Sequence, residues 1–251
     1  MPTDMGDLYV GVKIEEQAFT YRIHFFWTDE FRLIKLSDLQ NATYINQENK
    51  IMEIIGSVRS PFVRIVRATA RELSLDYTFH QTNSALSLTE EETNLVNSGN
   101  PLMKIPILKD GDRSVVDSRV IVNYLARKAQ EQGTKSDLKT VLNDDDEYAL
   151  TLIYGISDSI LLRYIFGKTT DLNLEEGYLA RCLERVKRTL TELDNQKQIG
   201  EEFGLVEIAL VCILGFAKSM QVCDMSDYKH LNSVYDRYVV RPSFAEVGLS
   251  E

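Results

Sequence analysis

Ser60-Pro61, Ile105-Pro106 and Asp117-Ser118 are the places in this sequence where residue type and neighbour together could hold a polar ligand. Ser60-Pro61 has the form of a helix start. Proline suits the first helical position, where its missing N–H costs nothing, so Ser60 stands at the positive N-terminal end. A serine there is an ordinary N-cap, yet one hydroxyl can accept from a backbone N–H while donating to an anion. Asp117-Ser118 opens a second helix, where free N–H groups and a hydroxyl converge on a point that suits a carboxylate. Either residue alone would also serve as a plain cap. In Ile105-Pro106 the cis form of the peptide bond costs only about 0.5–1 kcal/mol. A cis bond would turn the Ile105 N–H and C=O outward, whereas a trans bond would simply begin an edge strand.

These residues need elements to position them, and the apolar spacing supplies candidates. Residues 51–55 read as a strand and residues 61–73 as a helix, with Phe62, Ile65, Val66, Thr69 and Leu73 at helical spacing beside Arg64, Arg67 and Arg71. Residues 75–80 read as a second strand, making a β-α-β unit with parallel pairing. A polar stretch, residues 84–99, is helical or irregular. Two apolar runs flank Asp110-Gly111 as in a hairpin, and a helix follows with Val120, Ile121, Tyr124 and Leu125 on one face. The order βαβ, α, ββα is that of a thioredoxin-like domain. Polar residues 130–143, with Gly133, read as a linker. Beyond it, residues 144–166, 174–193, 205–220 and 231–239 read as helices, the last stopped by Arg241-Pro242. Ahead of all this, residues 7–36 alternate like strands (Leu8, Val10, Val12, Ile14; Tyr21, Ile23, Phe25, Trp27; Phe31, Leu33), as in a small antiparallel meander. The expected fold class is therefore α/β plus all-α: an extension over residues 1–50, a thioredoxin-like domain over 51–130 and an all-helical domain over 142–251.

Composition excludes several function classes. With 251 residues, 44% hydrophobic and 26% charged, the chain can bury a core in each domain. No window holds the eighteen or so consecutive apolar residues of a membrane span, and the N-terminus lacks a signal-peptide pattern, so no membrane and a cytoplasmic location are expected. A net charge of −10 repels nucleic acid. Cys182, Cys212 and Cys223 are too few and too scattered for a disulfide framework or a metal site, and read as buried or half-buried thiols.

Taken together, the stretches resemble glutathione transferases. Residues 56–64 (GSVRSPFVR) resemble the family's first βα turn, residues 100–108 (NPLMKIPIL) its second signature and residues 117–125 (DSRVIVNYL) its third. Residues 204–214 (GLVEIALVCIL) and 241–244 (RPSF) are similar to its core helix and terminal motif. The resemblance implies glutathione as co-substrate, no metal, and attack of its thiolate on a small hydrophobic electrophile, by a detoxifying cytoplasmic homodimer. A free thiol has a pKa of about 8.5, so a site that favours the anion raises the nucleophile's concentration. Ser60-Pro61-Phe62 resembles the serine-type turn of tau-class members, which implies that Ser60 donates to the thiolate. Omega-class members and glutaredoxins carry cysteine where Ser60 stands, so mixed-disulfide chemistry through this position is not expected. Theta and delta classes use a serine one residue earlier, at Arg59, whose guanidinium could help the thiolate or point into water. By the same resemblance Ile105 and Pro106 present backbone to the cysteinyl unit. Ser118 holds the γ-glutamyl carboxylate, Asp117 lies near the γ-glutamyl ammonium, and Lys104 meets the glycyl carboxylate or is solvated.

Two departures stand out. Gly204 replaces the Ser or Thr that opens the family's core helix, keeping Glu207 as acidic partner, at an expected cost of some tenths of a kcal/mol. Glu90-Glu91-Glu92 stands where tau-class proteins place a lysine, which argues for modest glutathione affinity. The electrophile pocket is expected between the domains, lined by Phe62, Tyr148, Tyr154, Arg163 and Tyr164, although aromatics at helical spacing are also ordinary core. The rival reading is a non-catalytic binding or protein-interaction module on the same fold.

Overall fold

A computed structural model describes residues 51–248. The meander and the extension expected over residues 1–50 lie outside the described residues. The order begins β1 (Met52–Gly56), α1 (Pro61–Glu72), β2 (Tyr77–Gln81), α2 (Glu90–Gly99), β3 (Ile107–Asp110), β4 (Arg113–Val116) and α3 (Ser118–Gln132). The helical half follows as α4 (Asp144–Thr169), α5 (Gly177–Asn195), α6 (Leu205–Ser219), α7 (Lys229–Tyr238) and α8 (Pro242–Ala245). The sheet runs β2-β1-β3-β4, with β1 and β2 parallel and the other two pairs antiparallel.

Side chains alternate across this sheet, and the two apolar faces are divided accordingly. Met52, Ile54 and Leu108 join a large core with Ile65, Val66 and Ile121. Ile55 and Ile107 face a smaller cluster completed by Val96 of α2. Helix α1 is buried over seven of its twelve residues because it packs not only on α3 but also on α6 and α8. Gly56, at the end of β1, lets α1 lie close against the strand: a Cβ there would stand 2.4 Å from Val63 Cγ2.

The stretch left open as helical or irregular contains α2, started by a capping box in which Thr89 and Glu92 bond each other's backbone N–H groups. The acidic run is its first turn, where three carboxylates complement the helix N-terminus. Residues 130–143 are only partly a linker. Helix α3 continues to Gln132, Gly133 ends it in the left-handed conformation, and Lys139 exchanges backbone hydrogen bonds with Phe203 and Leu205 at 3.0 and 3.2 Å.

In the helical half, α6 is buried along all but its last two residues, the form of a helix enclosed by its neighbours. Helix α4 is, by length and composition, apolar enough to cross a membrane. Its Ala149, Leu150, Ile153, Ile156 and Ile160 are instead core residues, packed with α5 and α6. One core cluster contains Ile54 of the sheet and Leu210 of α6 alike, so the two halves share a single interior.

Candidate functional site at the start of α1

Sheet register gathers the three stretches that the sequence offers as candidate ligand contacts. Ile55 pairs with Ile107 and Ile107 pairs with Val116, so these residues form one row across the sheet. Just beyond that row come the turn to α1, the Pro106 loop entering β3, and Asp117-Ser118 leaving β4. The same end includes Thr82, whose N–H donates to the Gly56 carbonyl at 2.9 Å. Ile105 also approaches the turn directly, since a Cβ on Gly56 would meet the Ile105 Cβ at 3.5 Å.

Ser60 is the N-cap of α1. It has extended backbone, its Oγ accepts from the Val63 N–H at 3.4 Å, and its own N–H donates to the Ser57 carbonyl at 3.0 Å. That long cap bond uses one lone pair and leaves the hydroxyl proton to donate elsewhere. Phe62 is half-buried and Arg59 is exposed. Ser57, not singled out from the sequence, is buried and its Oγ accepts from the Arg59 N–H at 3.4 Å, stiffening the same turn.

The Ile105-Pro106 bond is cis. The Ile105 N–H and C=O enter no turn, cap or loop hydrogen bond among the described residues. Asn100 holds the loop leading to them. Only 2% exposed, its amide Nδ2 donates to the Lys104 carbonyl at 2.7 Å, and its Oδ1 accepts from the Leu102 N–H at 2.9 Å. Between them Met103 takes φ +55°, a left-handed conformation unusual for a side-chain-bearing residue. The Lys104 side chain is exposed. The Asn-Pro dipeptide was the available sequence signal for this turn.

Asp117 caps α3 from φ +72°, ψ 126°, accepting from the Arg119 N–H at 2.9 Å and the Val120 N–H at 3.4 Å. Such backbone costs about 1–3 kcal/mol and characteristically persists at ligand-holding sites. Ser118 is only 5% exposed. Tyr154 of α4 reaches this point: its phenol lies beside the Ser118 hydroxyl and near the Asp117 carboxylate. Burial pushes the phenol above its ordinary pKa, with Ser118 opposing and Asp117 adding to the shift. The Tyr154 ring stacks on Phe62, with centroids 6.4 Å apart and planes 16° from parallel. Two turns earlier in α4, Glu147 pairs with Arg119. The first half of α4 therefore lines the site.

The other residues expected in an electrophile pocket are dispersed. Tyr148 is 50% exposed. Arg163 lies nine residues beyond Tyr154, about 13.5 Å along the helix. Its guanidinium is spent on the carbonyls of Leu174 and Leu179, at 2.5 and 2.8 Å, and on Glu175 at 2.7 Å, tying α4 to the entry of α5. Tyr164 packs edge-on against Phe216. Arg163 and Tyr164 line a separate cavity of about 210 Å³ with Met220 and Val222. The structure thus brings Phe62 and Tyr154 together, places Tyr148 exposed on the same half of α4, and leaves Arg163 and Tyr164 at a separate cavity.

A mixed four-stranded sheet with a cis-proline loop, a serine-capped first helix and an appended helical half defines a thioredoxin-like, two-part class of protein. The comparisons narrow it. Residues 54–133 match the family described as "Glutathione S-transferase, N-terminal domain". A glutathione S-transferase from Silene vulgaris is 23% identical over 210 residues, covering 77% of this chain and 94% of that one. A probable glutathione S-transferase from Glycine max is 28% identical over 172 residues, covering 64% and 69%. Among solved structures, a glutathione S-transferase from Methylobacillus flagellatus with GSH bound is 26% identical, with a TM-score of 0.66 over 78% of this chain and 98% of its own. One from Methylobacterium radiotolerans, in complex with glutathione sulfonate, is 23% identical with a TM-score of 0.64 over 79% and 94%. The chain is thus similar to glutathione S-transferases over most of its described length, and residues 54–133 match that family's N-terminal domain.

Proposed function

We propose that this protein is a glutathione transferase that adds the glutathione thiolate to small hydrophobic electrophiles. The observation that supports the reading is the row at the sheet end: the register line Ile55–Ile107–Val116 brings the segments that carry Ser60, Ile105 and Asp117-Ser118 to the same end of the sheet. Glutathione offers a complement to each. Its cysteinyl backbone can pair with the Ile105 N–H and C=O, its γ-glutamyl carboxylate with the Ser118 hydroxyl and N–H, and its ammonium with Asp117. Its sulfur then faces the start of α1, where the helix N-terminus favours an anion and the Ser60 hydroxyl can donate to it. Lys104 and Arg59 are cations within the same stretches, suited to the glycyl carboxylate and to the thiolate. The relatives that carry GSH or glutathione sulfonate support glutathione as the co-substrate.

The chemistry needs only this. The bound thiolate attacks the electrophilic carbon, a new S–C bond forms, and the leaving group departs with its electron pair or a proton is taken up in an addition. The protein contributes orientation and anion stabilisation. Phe62 and Tyr154 supply the apolar wall nearest Ser60 for the electrophile. The reading extends to a cytoplasmic, detoxifying homodimer.

The test uses the purified full chain. It should be retained on immobilised glutathione, elute with free glutathione, conjugate glutathione to an activated aryl halide, and scatter light as two chains. Flow-through without turnover would instead favour the non-catalytic module.

A further inference from the structure

Arg64 breaks two local rules at once. It lies in the opening turns of α1, where the helix N-terminus is already positive and a cation is disfavoured, and no acidic residue stands in the first turn to offset it. It is also half-buried, and no carboxylate among the described residues pairs with it. Local rules broken together in a well-packed element point to a functional role.

Its geometry indicates which. Side chains on a helix lean towards its N-terminus, so Arg64, four residues after Ser60, reaches back under the turn that Ser60 ends. The Arg64 N–H donates to the Ser60 carbonyl at 3.1 Å, and its Nε donates to the Val58 carbonyl at 2.7 Å. One residue thereby holds residues 58–60 from below by both backbone and side chain. We propose that Arg64 is a positioning residue for the reaction: it fixes the turn that aims the Ser60 hydroxyl, and its unpaired charge adds to the α1 N-terminus in favouring glutathione's sulfur as an anion. The assignment rests on the conjugation reading above.

The groups facing Arg64 do not complicate a pH test. They are Cys212 of α6, Tyr235 of α7 and Arg67 of its own helix. Burial raises both the Cys212 thiol and the Tyr235 phenol above their ordinary values, so neither changes charge across a range of about pH 6 to 8.5.

Wild type, Arg64→Gln and Arg64→Lys are compared by the pH dependence of kcat/KM, by glutathione affinity and by thermal melting. Glutamine removes the charge; lysine keeps a charge but loses the planar Nε–H. The expected result for Arg64→Gln is a midpoint of the pH profile about one unit above wild type. That corresponds to about tenfold less activity near pH 6.5 and a gap that narrows towards pH 9. Arg64→Lys should keep a midpoint near wild type and lose activity evenly across pH through a lower kcat, because only the aim of Ser60 is loosened. Were the glutamine chain not to fold, the lysine profile decides: a fall in kcat without a shifted midpoint supports the assignment, and wild-type kcat overturns it. If Arg64→Gln melts lower but keeps the wild-type midpoint, Arg64 is only a structural clamp and this inference fails alone. A wild type that binds glutathione without any such midpoint overturns the conjugation reading and this assignment together.

Discussion

Asn100 illustrates how a residue can govern a site it never touches. Its buried amide makes both of its hydrogen bonds inside residues 100–104, and the exposed Leu102 and Met103 provide no packing to hold that loop otherwise. Replacing Asn100 with alanine should therefore raise the KM for glutathione about tenfold with little change in kcat, the size expected for one well-made buried hydrogen bond. An unchanged KM would show that the loop holds its shape alone. The residues legible from sequence were those whose role is local. A serine before a proline, an isoleucine before a proline and an aspartate-serine pair each announce their backbone setting within a few positions. Arg163 was not legible, because the carbonyls it serves belong to the loop and first turn of α5, eleven and sixteen residues further on. Arg64 was noticed only as a polar neighbour of an apolar stripe. That its guanidinium turns back to Val58 is a fact of the folded turn.

Among elements, the contact of α1 with the chain's end gives a pH-dependent prediction. Glu72, the last residue of α1, accepts from Arg241 at 2.9 and 2.7 Å and from the Ser243 hydroxyl. Arg71 pairs with Glu246 at 2.7 Å beside it. Burial alone would raise the Glu72 carboxyl, but the hydrogen bonds from Arg241 and Ser243 outweigh it and lower the pKa. A carboxyl held low in the folded state adds stability above its unfolded value, about pH 4.3, and loses it as pH falls further. Glu72→Gln should cost about 1–3 kcal/mol near neutral pH, read as a lower melting temperature. The penalty should shrink as wild type and variant are compared at progressively lower pH. A constant penalty down to pH 3 would contradict the assignment. Gly204 belongs at this scale too. Sequence reading took it as a lost cap, whereas a Cβ there would meet the Lys139 carbonyl at 2.9 Å, so glycine makes room for the passing chain. Glu207 offsets the missing side chain by accepting from both Gly200 and Gly204 at 2.9 Å.

At the scale of the whole molecule, a protein of net charge −10 is asked to bind an anionic tripeptide and deepen its negative charge. The field that offsets this charge is local. The acidic run of residues 90–92 is occupied with its own helix start, while the N-terminus of α1 and Arg64 stand at the turn proposed to receive the sulfur. The core shared by the sheet and the helical half backs that turn, because α1 packs on α6. A turn of this kind should ionise the thiol on binding. The most direct measurement is calorimetric titration of glutathione into the protein at pH 7, repeated in buffers of different ionisation enthalpy, to count protons released. A free thiol of pKa about 8.5 is almost wholly protonated there, so wild type should release a large fraction of one proton per site and Ser60→Ala distinctly less, with affinity largely kept. Glutathione bound with no proton released by wild type, or with equal release by both, would contradict the account.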